Sequence, residues 1–162
     1  MIAIRPYMAD DHPVLVEFMI ELQGHIASLD PLGRVRSSQD FDAEVYLEHL
    51  LSLLKSESGF LFIAEEYEAL LGFIAGSIPK DAEEDLLDHY PVREGKIHEL
   101  AVSESHREKG IGRLLMEKIE EQFRSQGCEY IRVGCFAPNT GAHAFYKKNG
   151  YDDRYTEMLK RL

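Results

Sequence analysis

Apolar positions along the chain recur in two alternating periods. Val14, Leu15, Phe18, Met19 and Leu22 fall three and four apart, which predicts a helix; Asp10 or Asp11 can cap it, and Pro13 is tolerated in its first turn. Leu47, Leu50, Leu51 and Leu54 predict a second helix from about Asp40, and the stretch 25–39, with Pro31 and Gly33, reads as a loop or a broken helix. Residues 2–5 read as a short strand ended by Pro6. The runs 60–64 and 70–78 are apolar and partly β-branched or aromatic, so with Glu66-Tyr67-Glu68 between them they predict an antiparallel hairpin. The polar segment 81–95 predicts a loop, with a helical turn at Leu86 and Leu87.

In the second half the periods alternate strand, helix, strand, helix, strand. Residues 96–102 predict a strand, and an amphipathic helix runs from Gly110 or Ile111 to Gln126, with Ile111, Leu114, Leu115, Ile119 and Phe123 inward. Gly127 suits its C-cap, and 130–135 predict the next strand. Asn139 caps a short helix carrying Phe145 and Tyr146 that stops at Asn149-Gly150, and a last strand is expected over 154–160. A strand-helix-strand crossover pairs 96–102 and 130–135 in parallel.

Composition narrows the class. A chain of 162 residues without repeats, low-complexity tracts or linkers reads as one domain, 1–162, and 44% hydrophobic with 29% charged residues supports a packed core. The net charge of −11 argues against a general nucleic-acid or anionic-membrane binder, since both need a basic surface. Cys128 and Cys135 are too few for a disulfide scaffold or a zinc site, and seven apart on one strand they would face opposite sides. With no basic leader and no run of ~20 apolar residues, the expectation is a soluble cytoplasmic protein.

One segment breaks the acidic trend. Arg107, Lys109 and Arg113 place three cations in seven residues, on a loop with Gly110 and Gly112 that joins a strand to a helix. Glycine lets backbone approach a ligand closely, and the free amides of a helix's first turn favour a phosphate or pyrophosphate. A P-loop is excluded because Gly112 is followed by Arg113-Leu114, and a dinucleotide fingerprint is excluded because Leu115 stands where glycine or alanine is needed.

The combination Leu100-Ala101-Val102, then Arg107-x-x-Gly110-x-Gly112 and an amphipathic helix, resembles the acyl-CoA-binding segment of the GNAT superfamily of N-acetyltransferases. Asn139-x-x-Ala142-x-x-Phe145-Tyr146-x-x-x-Gly150-Tyr151 resembles that superfamily's second signature. The likeness covers 96–160; the first half matches in element order alone, and Glu104 stands where the family often has proline. It implies an α/β fold with a mixed, mostly antiparallel sheet, a splayed parallel strand pair and about four flanking helices. Acetyl-CoA is the implied cosubstrate, and no metal is implied. Leu100, Ala101 and Val102 would pair with its pantetheine arm, the amides of Arg107, Glu108, Lys109, Gly110, Ile111, Gly112 and Arg113 would hold its pyrophosphate, and Ile111 would pack beneath. Asn139 would meet the pantetheine arm, and Tyr146 would sit by the sulfur as general acid.

Transfer to an amine needs a base, because a lysine-like amine has a pKa of ~10.4. His98 and Glu99 precede the cofactor-contacting residues; superfamily members often carry a base or water holder there, and on a regular strand the two side chains face opposite sides. Asp81, Glu83, Glu84, Asp85 and Asp88 put five acids in eight residues, and a carboxylate-lined mouth there would favour a cationic amine. The expected function is acetyl transfer to a primary amine of a small molecule or protein by direct attack in a ternary complex. A non-catalytic CoA-binding or sensory module of the same fold is the alternative. A homodimer fits family habit.

Overall fold

The computed structural model describes residues 1–161. Strands β1 (Ala3–Pro6), β2 (Phe60–Glu66), β3 (Ala69–Ser77), β4 (Glu94–Val102) and β5 (Tyr130–Val133) form one sheet in that order, so neighbours in space are neighbours in sequence. The first four pair antiparallel, and β4 pairs β5 in parallel from Glu94↔Tyr130 to Ile97↔Val133. Helices α1 (His12–Leu29) and α2 (Ala43–Ser56) cover one face, building a core around Phe18, Leu47 and Phe73. Helix α3 (Ile111–Ser125), the crossover between the parallel strands, covers the other with Leu115, Ile119 and Phe123 on Ile74 and Ile97. Helix α4 (Thr140–Lys148) follows β5 and adds Phe145 and Tyr146 to the second core. This is the expected mixed α/β sheet with one parallel pair and four helices.

Local chemistry explains most of the boundaries. Asp42 starts α2 by accepting from the Val45 amide at 3.0 Å, and Asn139 starts α4 by accepting from Ala142 at 3.1 Å. The β2–β3 turn puts Tyr67 and Glu68 at φ 50° and 66°, the positive pair that matches a two-residue turn to the twist of its strands. Gly95 lets α3 close on the sheet: a Cβ there would stand 2.6 Å from the buried Phe123 ring.

Several expectations need correction. Helix α1 continues unbroken to Leu29 through the start of the stretch expected to be a loop or a broken helix, because Ile26 and Leu29 prolong the apolar stripe; the chain turns at Asp30, whose carboxylate accepts from Leu32, Arg34 and Val35. Asp11 stands at the α1 N-cap, yet its carboxylate binds Arg5 at 2.8 Å and the Met8 amide at 2.7 Å instead. On α3, Leu114 is exposed and Met116 takes the buried place. Strand β5 stops at Val133, so Cys128 and Cys135 both lie off it. Residues 154–160 form no strand: Tyr155, Met158 and Leu159 do not keep a period of two, and all three are exposed.

Candidate active site

Strand β4 outruns its parallel neighbour. Pairing with β5 ends at Ile97↔Val133, whereas pairing with β3 continues to Gly72↔Val102. The β5 side of 99–102 therefore faces a groove, and backbone polar groups there are open to a ligand that lies along the strand.

A bulge marks the point where pairing changes. Ala75 pairs Glu99 and Gly76 pairs Ile97, which leaves His98 as one extra residue in β4. The extra residue reverses the alternation: Ile97 packs on the α3 side, and so does Leu100 only three residues later, whereas Ala101 packs on the α1/α2 side. His98 and Glu99 consequently face the same side, contrary to the expectation for a regular strand. Glu99 Oε1 accepts from the Tyr46 hydroxyl of α2, and His98 Nε2 lies 2.7 Å from the Oγ of the fully buried Ser77.

Ser77 joins His98 to Glu57 at the end of α2. Its Oγ is 2.6 Å from Glu57 Oε2, and a carboxylate can only accept, so Ser77 donates to Glu57 and His98 donates Nε2–H to Ser77. His98 Nδ1 is left with a lone pair and no hydrogen bond among the described residues. Burial lowers the His98 pKa from its ordinary value, Lys96 lowers it further, and Glu57 opposes them. Burial raises that of Glu99, against the hydrogen bond from Tyr46.

The glycine loop turns where the sequence predicts. Glu108 and Gly110 have φ 63° and 83°, and the first helical bond of α3 runs from the Leu114 amide to the Gly110 carbonyl at 3.1 Å. The amides of Ile111, Gly112 and Arg113 are thus without intrahelical partners, at the positive end of the helix. A Cβ at Gly110 would meet nothing within 4 Å, and one at Gly112 would lie 3.3 Å from the Phe145 ring, so the loop is open on the ligand side and buttressed behind. Ile111 is buried beneath it. Arg107 holds the Val102 carbonyl and Glu21, both at 3.3 Å, Lys109 holds the Ser105 carbonyl at 3.0 Å, and Arg113 pairs with Glu117 at 2.8 Å. The partners of Lys109 and Arg113 are exposed, and such contacts yield easily to a phosphate.

The groove above the open half of β4 holds about 420 Å³ and is bounded by Leu100, Ala101, Val102, Arg107, α1 and the start of α4. It shares Leu22, Leu100, Asn139 and Ala142 with a second cavity of about 260 Å³ that reaches His98, Glu99, Tyr46 and Tyr146. The Oδ1 of Asn139 is spent on capping α4, which leaves its Nδ2 as the free donor. Tyr146 packs on Phe145 and Tyr151, and burial, with Cys135 and Glu99 nearby, pushes its hydroxyl up to about 12. An open strand edge, a groove and an unobstructed glycine loop suit an extended pantetheine arm ending in a pyrophosphate. The acidic loop is elsewhere: no residue of 81–88 lines either cavity.

The site also contains residues that carried no sequence signal. Tyr46, Glu57 and Ser77 belong to no motif, and only the fold brings α2 and β3 to β4. The bulge did have a trace. Ile97-His98-Glu99-Leu100 places two polar residues between apolar ones where strict alternation allows one.

Comparison with known proteins agrees with this geometry. The acetyltransferase (GNAT) family matches residues 21–151. An uncharacterized N-acetyltransferase of Methanocaldococcus jannaschii is 27% identical over 116 residues, which covers 68% of this chain and 49% of that protein. One from Bacillus subtilis is 32% identical over 73 residues, 45% of this chain and 46% of its own. The chain spans about half the length of these curated relatives. A Bacillus halodurans protein superposes with a TM-score of 0.85 at 18% identity over 99% of both chains, and a GCN5-related N-acetyltransferase from Ralstonia eutropha with 0.72 at 23% over 100% and 99%. At those identities the likeness is one of fold. No described helix is long and apolar enough to cross a membrane.

Proposed function

Because the chain belongs to the acetyltransferase (GNAT) family, we propose that it acts as a single domain moving the acetyl group of acetyl-CoA to a primary amine by direct attack, with both substrates bound together. The observation that carries this reading is the open edge of β4 at 99–102, with the Gly110 loop at one end and the Tyr146 cavity at the other. Leu100, Ala101 and Val102 offer backbone to the pantetheine arm, and Asn139 offers Nδ2. The amides of Ile111, Gly112 and Arg113, with the Arg107, Lys109 and Arg113 side chains, hold the pyrophosphate.

Acetyl-CoA supplies a thioester carbonyl, at which the C–N bond forms as the C–S bond breaks. The residues manage the protons. Glu99 holds the incoming ammonium by charge. His98 is neutral at pH 7 because its pKa lies below the ordinary 6.5. With Nε2–H given to Ser77, Nδ1 takes the ammonium proton and frees the nitrogen to attack. Tyr146, near 12, keeps its proton at neutral pH and gives it to the departing sulfur, and the second proton that the nitrogen sheds as the amide forms returns to the Tyr146 oxygen. The convergence of His98, Glu99 and Tyr146 on one cavity favours turnover over a module that only binds CoA.

Thermal shift and CoA release test the proposal together. Acetyl-CoA should raise Tm more than equimolar ATP, and CoA should be released when an acceptor amine is added. An equal or larger shift with ATP would overturn the cofactor assignment.

A further inference from the structure

The cavity before Glu99 and His98 constrains the acceptor. At about 260 Å³ it is smaller than the ~300–1,000 Å³ of drug-sized sites, and Met19, Ile26, Phe41 and Phe136 give it aliphatic and aromatic walls. Glu99 is the one carboxylate among its lining residues, and none of them is lysine or arginine. A single ammonium is therefore balanced there and a second charge of either sign is not. A second ammonium would lie in the cavity without a counter-ion. A carboxylate on the acceptor would find no cation and would face Glu99. A charge left without a partner in this part-enclosed cavity is disfavoured in both cases.

We infer that the acceptor is a small primary monoamine with an aromatic or branched aliphatic body, and that polyamines, aminoglycosides and free amino acids are poor substrates. The inference rests on the acetyl-transfer reading above. It replaces the expectation of acceptor selection by the acidic loop: the selecting charge is Glu99, in a cavity of mixed polar and apolar walls that holds no other carboxylate and no lysine or arginine, while 81–88 stands outside it. The Tyr46 hydroxyl fixes that carboxylate from the α2 side, so a bulky amine body meets Phe41 and Ile26 while its nitrogen reaches Glu99 and His98.

The experiment measures steady-state CoA release with phenylethylamine and isopentylamine against phenylalanine and spermidine. Phenylalanine is phenylethylamine with a carboxylate added, so that pair isolates the effect of the second charge. The monoamines should exceed both competitors in kcat/KM by roughly tenfold or more. Equal or faster turnover of phenylalanine or spermidine overturns the inference, and so does failure of both monoamines while acetyl-CoA still raises Tm. Failure of acetyl-CoA to bind overturns the acetyl-transfer reading instead. Ile26→Glu adds a second carboxylate to the cavity wall and should narrow the gap between spermidine and the monoamines; an unchanged ratio counts against the inference.

Discussion

The two halves of β4 belong to one strand and share β3 as a partner, but their other edges differ. From Glu94 to Ile97 that edge is β5, with Gly95 under Phe123 and an Arg132–Glu94 ion pair at 2.8 Å. From Glu99 to Val102 it is a groove. Where both edges are paired, backbone groups are consumed by the ladder and the side chains fill space. Where one edge is open, the same backbone is available to a ligand, and half-buried polar groups gather beside it. Ending one strand early separates stability from chemistry within nine residues of β4.

The contrast can be tested from both sides. The largest expected effect is on the groove: Gly112→Asp adds a carboxylate beside the free amides at the start of α3, with its Cβ tight against the Phe145 ring, and should weaken CoA binding roughly 100-fold or more, read by calorimetry, with a modest fall in Tm. Retained affinity would sink the assignment. Tyr146→Phe should lower kcat by about 100-fold while CoA Kd holds, and equal kcat would remove Tyr146 as the acid.

Ser77→Ala, behind the bulge, should lower kcat roughly tenfold through loss of the His98 tautomer, again with unchanged CoA Kd. The base form of His98 is present above its pKa, and burial and Lys96 set that pKa below 6.5, so wild-type activity should fall only as pH drops below that value. An acid limb above pH 6.5 would argue against His98. In the paired half, Gly95→Ala drives a methyl into Phe123 and should cost about 1–3 kcal/mol, seen as a Tm lower by several degrees with CoA affinity intact.

The smallest effect has the opposite sign. The Glu99 pKa is raised in the fold, so its carboxylate form is a burden above that pKa and eases as pH falls through it. Glu99→Gln removes that burden and should raise Tm at pH 7 by roughly 1–3 °C while activity falls. A lower Tm would mean that the charge supports the fold.

Much of this contrast was legible in the sequence. The glycine loop, the Asn139 cap and the β2–β3 hairpin follow from local spacing and cap chemistry, because each is set by residues a few positions apart, whereas Tyr146 stood out through its resemblance to the second signature. The expected burial of Leu114 and the strand at 154–160 failed because tertiary packing, not local period, decides which flank of a helix or tail is covered. The Tyr46–Glu99 and Glu57–Ser77–His98 contacts span 53, 20 and 21 residues and leave no local mark. The bulge was written as two polar residues where alternation permits one, a signal that a reading in strict periods passes over.

That bulge has a consequence for how the protein can vary. His98 is surplus to the ladder, since Ala75↔Glu99 and Gly76↔Ile97 pair around it. Loss of its single codon would close β4 into a regular strand with Glu99 still on the α2 side. A one-codon indel can thus add or remove the proposed proton acceptor while the sheet's wiring stays the same.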